Sequence, residues 1–178
     1  MQKPYYTIRD AEEDDVPAII AMHAQSWLDT YPNETAGVTR VWVKERTDRW
    51  RTDEEKIEKR RDTIRRCKDN PNAMYRVAVS DQDEIVGIIA PFRNDTTQRI
   101  GAIYVGKAQQ GTGLAQKLMD QIIEWADPHR PLDLEVASYN ERAKAFYRKY
   151  GFTEDTNSEH IVHDVIPVVS MTRKGDKQ

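Results

Sequence analysis

The chain has little cysteine and no long apolar run. A single cysteine, Cys67, stands in 178 residues, so no internal disulfide can staple the fold. The four histidines are scattered without metal-ligand spacing, and no structural or catalytic metal is expected. No stretch approaches the ~20 apolar residues that cross a bilayer. The opening Met1-Gln2-Lys3-Pro4-Tyr5 lacks the apolar centre of a signal peptide. A cytoplasmic location without a membrane partner is therefore expected. Lys and Arg number 27 against 30 Asp and Glu, a net charge of −3, which gives no global reason to bind nucleic acid. Repeats and low-complexity segments are also missing.

What is present is a globular composition, 38% hydrophobic and 32% charged, at a length that supports one sizeable core. One domain spanning 1–178 is expected, with 173–178 as a disordered tail.

The stretch from Ile100 to Ala126 organises the rest. A short apolar run, Ile100 to Val105, passes through a polar turn into Gln110-Gly111-Thr112-Gly113-Leu114-Ala115. Leu114, Leu118, Ile122 and Ala126 then recur at helical spacing until Asp127-Pro128. The unit reads strand, glycine-bearing turn, helix. A helix N-terminus offers unpaired N–H groups and partial positive charge, which suit a phosphate. Gly111 and Gly113 place no side chain before those amides, and Thr112 adds a hydroxyl. An ordinary strand-to-helix turn remains the alternative. A dinucleotide fingerprint would need glycine at Gln116, and a Walker loop would need a Gly-Lys-Ser/Thr triplet that is absent.

Tyr5 to Arg9 reads as a strand, and the acids from Asp10 to Asp15 mark a helix start. Val16, Ile19, Ile20, His23 and Trp27 follow helical spacing; His23 suits partial burial better than acid–base chemistry. Two charged helices follow, at about 39–50 and 53–68, the second capped by Asp53. Between Arg40 and Lys68, 12 basic residues meet 7 acidic ones, which fits a solvated face better than an anion-binding patch. Trp42 and Trp50 fit the core better than a pocket border. Runs at 74–80 and 84–92, joined by Asp81-Gln82-Asp83, predict a hairpin, and the strand from Arg99 to Val105 should pair with its second arm. Leu132, Leu134 and Val136 alternate with acids as a further strand. Asn140 should cap a helix carrying Ala143, Phe146, Tyr147 and Tyr150, which Gly151 ends. Strands should fill Phe152 to Thr172, with a turn around Asn157 to Glu159. The order implies a mixed α+β layer fold.

With these residues in hand, Gln110-Gly111-Thr112-Gly113-Leu114-Ala115 resembles the acetyl-CoA loop of the GNAT acetyltransferase superfamily, with Gln110, Gly113 and Ala115 at its defining places. Leu132-x-Leu134-x-Val136 followed by Asn140-x-x-Ala143-x-x-Phe146-Tyr147 and Gly151-Phe152 is similar to the family's later strand and helix. His23-Ala24-Gln25-Ser26-Trp27 with Thr30-Tyr31, and the Tyr104-Val105 strand ending, look like a branch that includes bacterial spermidine/spermine acetyltransferases.

The resemblance implies a three-layer α/β/α fold whose mostly antiparallel sheet splays between the strand ending at Val105 and the strand 132–137, with acetyl-CoA in the wedge. The backbone of Ile103, Tyr104 and Val105 would hold pantetheine and the thioester oxygen. Gln110, Gly111, Thr112, Gly113, Leu114 and Ala115 would hold the pyrophosphate. Asn140 would bond the pantetheine chain, and Arg142 or Lys149 would reach phosphate. Tyr147 would be the general acid, against a bland role as core aromatic.

The implied reaction is direct attack of a primary amine on acetyl-CoA, with no metal. A small polyamine-like acceptor is favoured, and the acids at 10–15 and 154–164 would attract it if they faced the pocket. A protein N-terminus or lysine is the alternative acceptor, and a noncatalytic acyl-CoA-binding regulatory domain is the alternative of another class. A homodimer is compatible with the sequence. The general base is left open: Arg99 stands where many members carry glutamate, Lys107 where many carry proline, and Glu135, His23 or water are the candidates.

Overall fold

The structure is a computed structural model and describes residues 5–176. Seven strands form one sheet in the order β1-β2-β3-β4-β5-β7-β6. In chain order they are β1 (Tyr6–Asp10), β2 (Arg76–Ser80), β3 (Ile85–Arg93), β4 (Gln98–Val105), β5 (Leu132–Ala137), β6 (Phe152–Val162) and β7 (Ile166–Arg173). The helices are α1 (Val16–Thr30), α2 (Arg40–Thr52), α3 (Glu54–Cys67), α4 (Leu114–Trp125) and α5 (Glu141–Arg148). All strand pairs are antiparallel except β4 with β5.

Strand alternation gives the sheet two apolar faces. One face contributes Ala78, Val86, Ile89, Leu134, Val136 and Met171, which pack with Leu114, Leu118, Met119 and Ile122 of α4 and Tyr147 of α5. The other contributes Tyr75, Val77, Val79 and Ile88, packed with Val16, Ile19 and Ile20 of α1 and Ile64 of α3. Trp27, Val38 and Val43 close over Ala137, Ile166 and Val168 at the far end. Helices on both faces of a mixed, mostly antiparallel sheet make the expected α+β three-layer arrangement. Burying each large apolar side chain of α4 contributes about 1.5–3 kcal/mol. Gly87 lets this helix approach closely, since a Cβ there would lie 3.0 Å from Leu118 Cδ1.

Helix boundaries follow the capping residues. Thr39 accepts from Trp42 N–H, Asp53 from the N–H groups of Glu55 and Lys56, and Asn140 from Ala143 N–H. The acids ahead of α1 form a 3-10 turn, Glu13–Asp15, tied down by Arg9 at 2.6 Å from Asp15. Gly151 takes a φ of 81° after α5, with Phe152 buried behind it. Trp42 and Trp50 are half-buried against the helical cores.

Two expectations are corrected. The stretch from Asn157 to Glu159 is a bulge within β6, where the register shifts between Asp155 and His160; the hairpin turns at His163 and Asp164, both at positive φ. Ser158 Oγ accepts from Ser170 N–H at 2.8 Å, so the polar run keeps contact with its partner strand. The tail is also shorter than expected. Arg173 still belongs to β7, and Asp176 N–H donates to Pro128 O at 2.7 Å; residues 177 and 178 lie outside the described ones.

Candidate active site

The site begins where the sheet comes apart. β4 and β5 run parallel, and their one paired position is Arg99 with Asp133. Beyond it, β4 continues to Val105 still paired with β3, and β5 continues to Ala137 still paired with β7. The register along β3 and β4 shifts between Ile89 with Ile103 and Pro91 with Ile100, one extra residue on β4. Such a bulge bends a strand away from its neighbour.

The opened edge carries free backbone groups. Gly106 N–H donates to Val86 O at 2.9 Å, which fixes the alternation of an antiparallel ladder. Tyr104 therefore pairs with Ile88, and the N–H and C=O groups of Ile103 and Val105 face the wedge.

The resulting cavity, about 430 Å³, is lined by β4 from Ile100 to Val105, by Leu134 to Ala137 of β5, and by Gln110 and Ala115 of the turn. Asn140, Arg142, Ala143, Phe146 and Tyr147 line it from α5, and Ser26, Asp29, Thr30 and Tyr31 from α1. Lys107 also reaches it. A larger groove, about 1020 Å³, runs between the acids at 10–14 and the end of α3. That groove is away from the splay and holds none of the motif residues.

The turn into α4 supplies N–H groups. Gly113 is its N-cap at φ 91° with no side-chain cap, so no protein side chain satisfies the first-turn amides. Gly111 and Gly113 are required by their positive φ; a Cβ at either would meet nothing within 4 Å. Thr112 does not offer a free hydroxyl proton as the sequence suggested, because Oγ1 donates to Gln109 O at 2.7 Å and accepts from Tyr6. The Leu114 side chain is fully buried in the core, leaving only its backbone to the turn. Gln110 Oε1 accepts from Arg142 Nη1, joining this turn to α5 across the wedge. Asn140 Oδ1 is committed to its cap at 3.0 Å, leaving Nδ2 as the donor available to a ligand. Lys149 is exposed and does not line the cavity.

Tyrosines crowd the α1 side. Tyr31 and Tyr104 share a hydroxyl hydrogen bond at 2.9 Å, and Tyr139 donates to Tyr31 O at 2.6 Å. Burial pushes the Tyr147 phenol well above its ordinary value, with neighbouring Tyr104 adding to the effect. Tyr147 is therefore neutral at pH 7, as a phenol of ordinary pKa also is, and it lines the cavity.

Two base candidates change status. His23 is buried, and desolvation, helped by the Arg60 charge, pushes its pKa down to about 3. Its Nε2 lone pair accepts from Trp27 Nε1 at 3.0 Å, so His23 is a packing residue and not a base. Trp27, 6% exposed, belongs to the core and does not cap the cavity; Tyr31 lines it. Glu135 does face the cavity, but Arg99 Nη2 lies 2.7 Å from Oε1 and His160 Nε2 lies 3.4 Å from the same oxygen. His160 was not singled out from sequence; its signal was the irregular polar run before it, which reads as a turn.

The acids expected to draw a polycation lie elsewhere. Asp10 and Glu12 to Asp14 line the other groove, and Glu154 is held by Lys144 and Arg148 of α5. Among the described residues no group of His, Cys, Asp and Glu gathers to hold a metal, and no helix is long and apolar enough to cross a membrane.

The profile of the acetyltransferase (GNAT) domain matches residues 53–174. The chain belongs to the GNAT acetyltransferase family and is an acetyl-CoA-dependent N-acetyltransferase. Among solved structures, PaiA N-acetyltransferase from Thermoplasma acidophilum, in complex with coenzyme A, aligns with a TM-score of 0.71 at 18% identity, over 97% of this chain and 99% of that one. A GNAT acetyltransferase from Streptococcus pneumoniae aligns at 0.70 and 21%, over 97% and 100%. Ribosomal-protein-alanine N-acetyltransferase from Brucella melitensis aligns at 0.68 and 20%, over 94% and 99%. At these identities the likeness is one of fold. No curated protein matches the sequence significantly.

Proposed function

We propose that the chain, as one domain over 1–178, transfers acetyl from acetyl-CoA to a primary amine by direct attack within the β4–β5 wedge. The observation that carries this reading is the opened β4 edge, with the backbone of Ile103 and Val105 facing a cavity that Tyr147 also lines. Pantetheine bound along that edge would replace the missing strand, hydrogen bond for hydrogen bond. Its thioester oxygen would lie against a β4 N–H, whose pull strengthens as negative charge develops. The amides at Gly111 to Ala115 suit the pyrophosphate, with Lys107 and Arg142 supplying nearby positive charge. Asn140 Nδ2 would hold the pantetheine amide.

Tyr147 would protonate the departing thiolate, and its place in the lining of the same cavity as the opened β4 edge supports that role over the noncatalytic alternative. An alkyl ammonium of pKa ~10.4 leaves only about one molecule in a thousand neutral near pH 7, so a proton must be removed before attack. Glu135 and Asp29, the carboxylates lining the cavity, support a small cationic amine of the polyamine type as the preferred acceptor. A protein N-terminus or lysine is the second reading, favoured by the exposed sheet surface at Phe92 and Gly101 beside the wedge.

The test is a mass-detected acetylation screen with spermidine, an alanine-initiated peptide and a lysine peptide as acceptors. Acetylated spermidine is expected. Failure to acetylate any amine while acetyl-CoA still binds would reject the enzymatic reading.

A further inference from the structure

We propose that Glu135 and His160 form a proton relay that takes the proton from the acceptor ammonium and passes it to solvent. The proposal rests on the acetyltransferase reading of the wedge and supplies the base which that reading lacks. Glu135 faces the cavity, and His160, on the exposed edge strand β6, approaches Glu135 Oε1 with Nε2 at 3.4 Å. The two residues are on strands separated by β7. They meet diagonally across one face of β7, where Glu135 pairs with Ser170 and His160 pairs with Val168, two residues along the same strand.

The β6 bulge aims the imidazole. His160 Nδ1 lies 2.9 Å from Ser158 O. A carbonyl oxygen only accepts, so Nδ1 carries the hydrogen and Nε2 is the nitrogen whose lone pair faces Glu135. Ser158 is itself fixed from both sides: Oγ accepts from Ser170 N–H at 2.8 Å and donates to Asp155 O at 2.6 Å. An irregularity anchored this way beside a cavity is the arrangement by which bulges re-aim a side chain.

The geometry also says why Glu135 alone is not enough. Arg99 Nη2 holds Oε1 at 2.7 Å, so a protonated, neutral Glu135 would leave that guanidinium without its partner, and the proton must move on. At 3.4 Å the pair is within ion-pair range but longer than a direct hydrogen bond, so transfer needs the two side chains to close or one bridging water. The remaining charged or titratable groups around the pair are Asp133, bonded to Thr172 Oγ1, Asp155, and the turn residues His163 and Asp164, with Arg46 of α2 bonded to His163. The pair has an open exit, because the His160 side chain is 47% exposed.

In balance, the ammonium N–H breaks and its proton joins the Glu135 carboxylate, leaving a neutral amine. The proton then passes to His160 Nε2, restoring the carboxylate, and leaves for water. The amine lone pair forms the new C–N bond at the thioester carbon and the C–S bond breaks. The departing sulfur takes the Tyr147 proton, and the phenolate recovers one from the nitrogen as the amide forms. His160 acts through Glu135 and does not itself touch the acceptor.

The test uses the full chain, with acetyl-CoA and whichever of spermidine, the alanine-initiated peptide or the lysine peptide the wild type acetylates. His160→Ala should lower kcat by about 10²-fold with the KM for acetyl-CoA unchanged, shift the acid limb of kcat against pH, and regain activity with added imidazole. In a Glu135→Gln background, the same substitution should change kcat little, because the two residues act in series. Full activity of His160→Ala, or a loss that imidazole does not restore and that multiplies with Glu135→Gln, overturns the relay while leaving the acetyltransferase reading intact. A wild type that acetylates none of the three amines overturns that reading and the relay with it.

Discussion

At His23 burial and a nearby Arg60 charge act in the same direction, lowering the pKa from an ordinary 6.5 to about 3. Between those values the unfolded chain binds a proton that the folded chain refuses. Stability present above pH 6.5 is therefore lost as pH falls, at up to about 1.4 kcal/mol per unit. Urea unfolding at pH 7 and pH 5 should show the wild type losing about 2 kcal/mol more than His23→Gln over that interval. Equal losses would mean that His23 is not held neutral. Asn140 serves two purposes, a cap through Oδ1 and a donor through Nδ2. Asn140→Ala should cost about 1 kcal/mol in thermal or urea unfolding and raise the KM for acetyl-CoA. A rise in KM without lost stability would contradict the cap.

At the scale of elements, the turn into α4 depends on conformation more than on space. Gly113 sits at φ 91° with nothing within 4 Å of an added Cβ. Gly113→Ala should therefore cost on the order of 1 kcal/mol as backbone strain and weaken acetyl-CoA binding, read as a higher KM with kcat retained. An unchanged KM would detach this turn from cofactor binding. The same element shows what the sequence makes legible. The positions of α4 and α5 follow from apolar spacing and from Gly113 and Asn140, because local rules set helix ends. The β6–β7 hairpin does not follow, since Asn157 to Glu159 carries turn-forming residues while the true turn lies at His163 and Asp164. A bulge and a turn draw on the same polar residues, and only pairing with Ser170 separates them. Likewise, the meeting of Glu135, Arg99 and His160 depends on three strands distant in sequence, so no local spacing announces it.

At the scale of the whole molecule, one break in the sheet creates the site. β4 and β5 separate after a single paired position, while β4 stays paired with β3 and β5 with β7. Of the motif residues, Ile103 to Val105 on β4, Gln110 and Ala115 of the α4 turn, and Asn140 and Tyr147 of α5 line one cavity, with α1 walling the other side, whereas Gly111 to Leu114 lie outside its lining. Family motifs made this wedge readable, because they mark the strand ends and helix starts that surround it. The acceptor side was less readable: the acids at 10–14 turn to another groove, and Arg99 is tied to Glu135. Acetyl transfer in this wedge with Tyr147 as the acid is best tested by measuring acetyl-CoA binding by calorimetry and amine acetylation by steady-state kinetics, side by side, on wild type and Tyr147→Phe. The substitution should lower kcat by about 10²-fold or more with acetyl-CoA affinity unchanged; an unaltered kcat, or an affinity lost together with kcat, would rule Tyr147 out as the acid.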